Sequence, residues 1–422
     1  MKRKLAFGLV ALASVGAPSW AETPVDPPAD AASGIIVKAD EPDHSVANGI
    51  LYVPRSLAQL ILSAPRYAAV GVDHYLESRS PNAFGRDVHS SWRLGAVFDW
   101  ENVTGPSGAL RIGRELGDAY SVDAYGGAFG ARGVSGGARI SLGRFTSWRI
   151  QPAVDGMVGS GMERVYAGVG EMDGRRVTFD EKQAMAHATV AIRPGRWWLI
   201  VGRAGFAQTT PDDGGDIATA YPAAVGVGER DRAGSGEISL SYDTRSPDYS
   251  WILPAAPSSG TLIHATGAYT RGETDSTGAY SFGRSHLEVQ QLFDLFHGDR
   301  VLTIGARTET ITVDPMSVPF TQLPALGGAD MLRAYARDQL RDRSATYANI
   351  EYAWPVTVAS QAFLFAETGE VHDGYRNFDS NNLHIGYGAG VRAYDGRTTF
   401  LVLQIAAAGT DQIGAFAQLG AL

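Results

Sequence analysis

Ile238-Ser239-Leu240-Ser241-Tyr242 carries an apolar or aromatic side chain at every second position, with serines between them. Period two is the mark of a β-strand with one apolar and one polar face. The pattern recurs in Leu287-Glu288-Val289-Gln290, Val301-Leu302-Thr303-Ile304-Gly305-Ala306-Arg307, Asn349-Ile350-Glu351-Tyr352-Ala353-Trp354 and Gly386-Tyr387-Gly388-Ala389-Gly390-Val391-Arg392. In most of these runs the second face holds Ser, Gly, Glu, Asn or Arg, which suits water rather than a packed core. A soluble sandwich and a transmembrane barrel both produce this alternation, so the setting of the chain has to decide between them.

The setting comes from the first residues. Lys2, Arg3 and Lys4 form a positive start, Leu5 to Ala17 is apolar, and Ser19-Trp20-Ala21 supplies the small residues that signal peptidase needs. The apolar run is too short for a membrane-spanning helix, which needs about 20 residues. Residues 1–21 are therefore read as a signal peptide. Its cleavage removes three of the 36 basic residues and leaves the 45 acidic ones, for a net charge of −12. An acidic exported chain is a poor partner for nucleic acid. The absence of cysteine excludes a disulfide scaffold, a cysteine-ligated metal centre and a thiol enzyme. No later apolar stretch is long enough for a spanning helix. Export, 51 glycines and aromatic residues at strand ends (Trp148, Trp197, Trp198, Tyr249, Trp251, Trp354) point to a barrel with aromatic girdles.

The chain divides accordingly. Residues 22–52, rich in Pro, Ala and Asp, read as a flexible leader. Residues 53–64, with Leu57, Leu60 and Ile61 at helical spacing, read as a short amphipathic helix. Residues 66–422 form the barrel. Eighteen candidate strands can be marked, of which Ala68–Leu76 and Glu163–Val169 have the weakest alternation, so the expected count is sixteen, with eighteen as the alternative. Bacterial barrels of one chain use even numbers. Connections alternate between tight ones such as Pro194-Gly195-Arg196 and long ones such as 209–236 and 314–345, which places the long loops outside the cell and the turns in the periplasm.

The stretch Leu323-Pro324-Ala325-Leu326-Gly327-Gly328-Ala329-Asp330-Met331-Leu332-Arg333-Ala334-Tyr335, followed by Glu351 in the next strand, resembles the BamA/TamA outer-membrane assembly superfamily, the bacterial surface antigen family. In that family a Gly-Gly pair leads into a loop bearing Arg-Gly-Tyr or Arg-Gly-Phe that folds back into the barrel lumen. Further matches lie on both sides. Asp243-Thr244-Arg245 with Gly260 resembles the family's Asp-x-Arg turn, Phe365-Ala366-Glu367-Thr368-Gly369 its Phe-x-Asp-x-Gly strand, and Gly388-Ala389-Gly390-Val391-Arg392 its late Gly-x-Gly-x-Arg strand. The resemblance covers 236–422. Ala334 stands where the family has the central Gly, Glu367 stands for Asp, and the sequence ends in Leu422 rather than an aromatic residue. Only about 45 residues lie between the signal peptide and the barrel, against the ~75 of each periplasmic POTRA module, so the resemblance is to a POTRA-less member.

A lumen loop needs a lock. An Arg inside a barrel is costly unless paired, and its planar fork matches carboxylates. Glu351 lies on the opposite face of its strand from Ile350, Tyr352 and Trp354, and Glu367 falls in the following strand. Arg333, Tyr335, Glu351 and Glu367 are therefore the expected lock, with Gly327, Gly328, Asp243, Arg245, Gly260, Phe365 and Gly369 as loop and turn positions. The alternative for the charged members is ordinary lumen charges bathed in water. Nine histidines are scattered, without a Gly-x-Ser-x-Gly elbow or a His-x-x-x-His pair, and Asp212-Asp213-Gly214-Gly215-Asp216 lacks the spacing of a calcium loop. The expectation is a non-enzyme without cofactor or metal. Its partners would be outer-membrane lipids and nascent outer-membrane proteins, with the barrel a monomer in the bacterial outer membrane. The resemblance implies assistance to protein or lipid insertion or translocation. The alternative is a passive plugged pore, surface antigen or structural envelope protein.

Overall fold

A computed structural model describes residues 92–421 apart from 102–104, 117–119, 130–132, 143–149, 171–174, 213–214, 246–256, 276–277, 297–299, 358–359, 396–397 and 410–411. The signal peptide, the leader, the 53–64 helix and the Ala68–Leu76 strand lie outside the described residues.

In chain order the strands are β1 (Trp92–Glu101), β2 (Gly105–Leu116), β3 (Tyr120–Phe129), β4 (Gly133–Leu142), β5 (Ile150–Tyr166), β6 (Val177–Ile192), β7 (Trp198–Asp212), β8 (Asp231–Asp243), β9 (Gly260–Thr274), β10 (Gly278–Phe296), β11 (Arg300–Ile311), β12 (Ala325–Leu326), β13 (Leu340–Arg341), β14 (Ser344–Thr357), β15 (Ser360–His372), β16 (His384–Asp395), β17 (Thr398–Ala408) and β18 (Gln412–Ala421). Sixteen of them close an antiparallel barrel, with β18 returning to β1, while β12 and β13 pair only with each other. Each of the sixteen strands expected from alternation is present. Glu163–Val169 is not a separate strand: after a register shift between Gly159 and Met162, β5 simply continues to Tyr166. One extra residue on a strand bends it without ending it, and that interruption breaks the alternation in the sequence.

Side chains sort by parity as the pattern required. Leu110, Val158, Ile238, Ile304, Ile350 and Ile385 point outward and are exposed, whereas their alternating neighbours line the lumen. An outward apolar band on a closed barrel whose backbone groups pair all round is the geometry of a transmembrane barrel. No helix among the described residues is long and apolar enough to cross a membrane. One outward residue departs from the girdle expectation. Trp354 is 1% exposed, clustered with Tyr352 and Ala362 and packed against Leu302, Leu364 and Val391, so it is a packing residue. Trp198 is exposed as expected.

The two ends of the barrel differ. The turn end carries 193–197, 297–299, 358–359 and 396–397, one longer connection at 244–259, and both the start of β1 and the end of β18. The loop end carries 167–176, 213–230, 312–343 and 373–383. There Ile217, Val318, Phe320 and Leu323 from the loops pack on Tyr166, Val177, Phe179, Tyr280, Phe282 and Ile311 from the strands. The Phe320 ring sits 4.5 Å from Tyr166 and 5.3 Å from Phe179. Burying this many large apolar groups, at roughly 1.5–3 kcal/mol each, fastens the loops as a lid and orients the segment that descends into the lumen.

Candidate functional site

Residues 312–343 run from β11 to β14 through the barrel interior. Pro315–Ser317 and Phe320–Gln322 form two short 3₁₀ turns, and the bridge Ala325↔Arg341, Leu326↔Leu340 pinches the segment into a hairpin. Gly327 and Gly328 follow at φ 115° and 112°, a region that only glycine enters without strain. The close turn brings the Gly328 N–H onto the Tyr335 carbonyl at 3.1 Å and the Asp338 N–H onto the Gly327 carbonyl at 3.3 Å. This hairpin presents Arg333 at its tip.

Arg333 meets the wall made by β14 to β17. Its Nε lies 3.6 Å from Glu367 Oε2 on β15, and its Nη2 lies 3.7 Å from Glu351 Oε2 on β14. The Arg333 backbone N–H donates to Glu367 Oε1, and the Tyr347 hydroxyl donates to Glu367 Oε2 at 3.0 Å. Arg392 on β16 donates to Glu351 Oε1. Gln404 on β17 accepts from Arg333 Nη1 at 3.4 Å and donates to the Ala329 carbonyl at 2.9 Å. The guanidinium carbon stands 3.9 Å from the Phe365 ring centroid, close enough for cation–π attraction. The Glu367 side chain is 0% exposed and Arg333 is 10% exposed. These are not charges loose in lumen water. The structure brings Arg333, Glu351 and Glu367 together; Tyr335 stands apart from the ion pairs, edge-on to His384 at 5.2 Å.

The motif residues around the cluster have steric reasons. Phe365, Glu367 and Gly369 share the lumen face of β15, and a Cβ at Gly369 would meet Leu326 and Leu332 of the hairpin at 3.0 and 3.2 Å. On β16 the facing positions Gly388 and Gly390 leave room for the rings of Phe365 and Phe363. Ala334, in place of the family's Gly, packs with Ala353, Phe363, Phe365, Ala406 and Ala408. Backbone closeness at this point comes from the wall, since a Cβ at Gly414 of β18 would lie 1.7 Å from the Arg333 carbonyl oxygen. Asp243 and Arg245 sit far from this cluster, at the turn end. There Arg245 Nε and Nη2 fork onto Asp243 at 3.0 and 2.8 Å, its Nη1 reaches Gln290 at 2.7 Å, and Gly260 opens β9 beneath the Thr244 carbonyl.

A second anchor, which the sequence reading missed, lies on the other side. Arg164 on β5 contacts Glu181 on β6 at 3.3 Å and Asp338 of the lumen segment at 3.4 Å. Arg341 reaches the same Asp338 oxygen at 3.5 Å. Counting round the barrel order, β5 and β15 are eight strands apart in either direction, so the two anchors are diametrically opposed. A third tie is Gln322, which donates to Asp231 on β8 at 2.8 Å while its carbonyl accepts from Arg284 on β10 at 2.5 Å. The segment is a strut across the lumen. Among the described residues no group of His, Cys, Asp or Glu could hold a metal ion.

Comparison with solved structures decides the architecture. The barrel superposes on BamA from Haemophilus ducreyi lacking POTRA domains 1–3, at 12% identity over 79% of this chain and 71% of that one, with a TM-score of 0.58. The fold is that of the BamA barrel. CdiB from Acinetobacter baumannii matches at 12% identity over 79% of this chain and 60% of its own, with a TM-score of 0.50. No family model matches the chain, and no curated protein matches it. The BamA-type fold is thus shared at 12% sequence identity.

Proposed function

We propose that this barrel resides in a bacterial outer membrane and assists the insertion or translocation of proteins or lipids through the junction of its first and last strands, acting as a non-enzymatic monomer without cofactor. The observation that carries this reading is the seam. Pairing between β1 and β18 runs only from Ala96↔Ala421 to Glu101↔Phe416, whereas β1 pairs with β2 along its whole length from Trp92↔Arg114 to Glu101↔Gly105. Gly420 adopts φ 96°, and a Cβ there would lie 2.0 Å from the Ala96 carbonyl oxygen. A short junction with a glycine at its edge is the cheapest line along which to part a wall whose other strands are held by longer ladders. In this reading the turn end faces the periplasm, and the substrates are nascent outer-membrane proteins or membrane lipids.

The strut favours a second reading, a passive plugged barrel. Both are tested with Asp99→Cys and Gln418→Cys, a facing pair across the seam. The measurement is the rate at which a urea-unfolded outer-membrane barrel protein folds into proteoliposomes containing the protein. Acceleration that disappears on oxidation of the cysteine pair and returns with reductant supports lateral opening. Undiminished acceleration with the seam locked, or no acceleration at all, overturns it.

A further inference from the structure

The two rims of the barrel differ in how their outward cations are partnered. At the loop end, Lys182 on β6 lies 3.8 Å from Asp212 on β7, and Arg232 on β8 lies 3.3 Å from Glu273 on β9. Arg271, also outward there, shares its face with Glu273 two positions on. Each of these three loop-end cations thus has a carboxylate on the same surface. At the turn end two arginines, Arg196 and Arg300, have aromatic partners instead. The Arg196 guanidinium stands 4.4 Å from the Trp197 ring centroid, and the Arg300 guanidinium 5.0 Å from that of Phe296. No carboxylate among the described residues lies within 4.0 Å of either. Arg300 is outward by parity with Leu302 and the exposed Ile304, and the Arg196 stack borders Trp198, which is exposed and leans on Tyr242 at 4.8 Å.

We infer that the turn-end rim is a phosphate-binding rim, in which Arg196 on Trp197 and Arg300 on Phe296 each hold the head-group phosphate of an anionic membrane phospholipid. An arginine laid on an aromatic ring keeps its N–H edge free, and that edge matches phosphate oxygens bidentately. The ring beneath sits at the depth of the head groups, where amphipathic side chains prefer to lie. A loop-end cation beside a carboxylate offers phosphate a neutral pair and an anion to repel it. The charge distribution therefore selects one rim and one chemistry of ligand. The inference rests on the proposed membrane-spanning reading and adds which leaflet's phospholipids the protein engages.

The test uses the full chain, purified in detergent and titrated with phosphatidylglycerol while bound lipid is counted by native mass spectrometry, with the same chain reconstituted into liposomes as the check on insertion. A cationic side chain at a membrane surface is worth ~1 kcal/mol, so Arg196→Gln and Arg300→Gln should each weaken lipid retention about 5-fold and together about 30-fold. Lys182→Gln with Arg232→Gln should leave retention unchanged. Equal retention by the Arg196→Gln/Arg300→Gln protein, or equal loss in the loop-end control, overturns the inference while the membrane reading stands. Failure of the unaltered protein to insert into liposomes overturns the membrane reading itself.

Discussion

Asp338 in the lumen segment sits 3.4 Å from Arg164 on β5, while Arg333, five residues earlier, is fixed to the diametrically opposite wall. A segment held at one point swings, and one held at two opposed points is a strut. Asp338 is 32% exposed and Arg164 is 13% exposed, so screening by lumen water limits the pair to about 1 kcal/mol. A double-mutant cycle of Asp338→Asn and Arg164→Gln, read from urea unfolding of the folded barrel, should return a coupling of that order. Strict additivity would remove the second anchor from the account.

The same residue sets a pH dependence. Burial works against charge on Asp338, but Arg341, Arg164 and Arg337 outweigh it and hold the carboxyl below its ordinary value. A depressed carboxyl contributes stability that is complete above its unfolded value and is lost as pH falls through the folded one. Protease protection of 312–343 should therefore decline on acidification below pH ~4 in the unaltered protein. The margin between it and Asp338→Asn should close over the same range. A constant margin at all pH values would show that Asp338 is not the titrating anchor.

Arg333 holds the near wall in a drier place. Truncating one member of a buried, hydrogen-bonded ion cluster leaves the others uncompensated and costs about 3–5 kcal/mol. Arg333→Ala should lower the temperature at which the barrel loses its compact form on semi-native gels and expose the strut to protease. Arg333→Lys keeps the charge but loses the planar fork and the stacking on Phe365, so it should fall between the two. If Arg333→Ala matches the parent in both readouts, the lock is not formed.

The barrel was legible because most spanning strands carry outward apolar residues at alternate positions through their middle, and local alternation reports this without any knowledge of neighbours. The near anchor was legible through motif residues, since Arg333 lies in the loop that leads into β14 and Glu351 and Glu367 occupy β14 and β15, the two strands that follow it in the chain. The far anchor was not. Arg164 falls just beyond the register shift that disguises the second half of β5, and Asp338 sits in irregular chain with no periodicity to mark its direction. Nor could the sequence show that the hairpin backbone at Arg333 and Ala334 comes close to Gly414 on β18, because contacts between distant segments leave no local trace.

Gly414 makes the last prediction, since it joins the strut to the strand that closes the barrel. On β18 it faces inward two residues before Phe416, where pairing with β1 stops, and a Cβ there would stand 1.7 Å from the Arg333 carbonyl oxygen. The clash is with backbone, so no rotamer relieves it, and either the hairpin must withdraw or β18 must move outward. Overpacking of this kind costs about 1–3 kcal/mol. Gly414→Val should therefore reproduce the protease exposure of Arg333→Ala although every ion-pair partner is intact. Combined with Arg333→Ala it should add little further exposure, because the strut is already released. Ala334→Gly, which removes a methyl packed against Phe363 and Phe365 without touching β18, should leave the strut protected. Full protection in Gly414→Val would mean that the last strand yields instead of the hairpin, which a shift in the oxidation rate of the Asp99→Cys/Gln418→Cys pair would register directly.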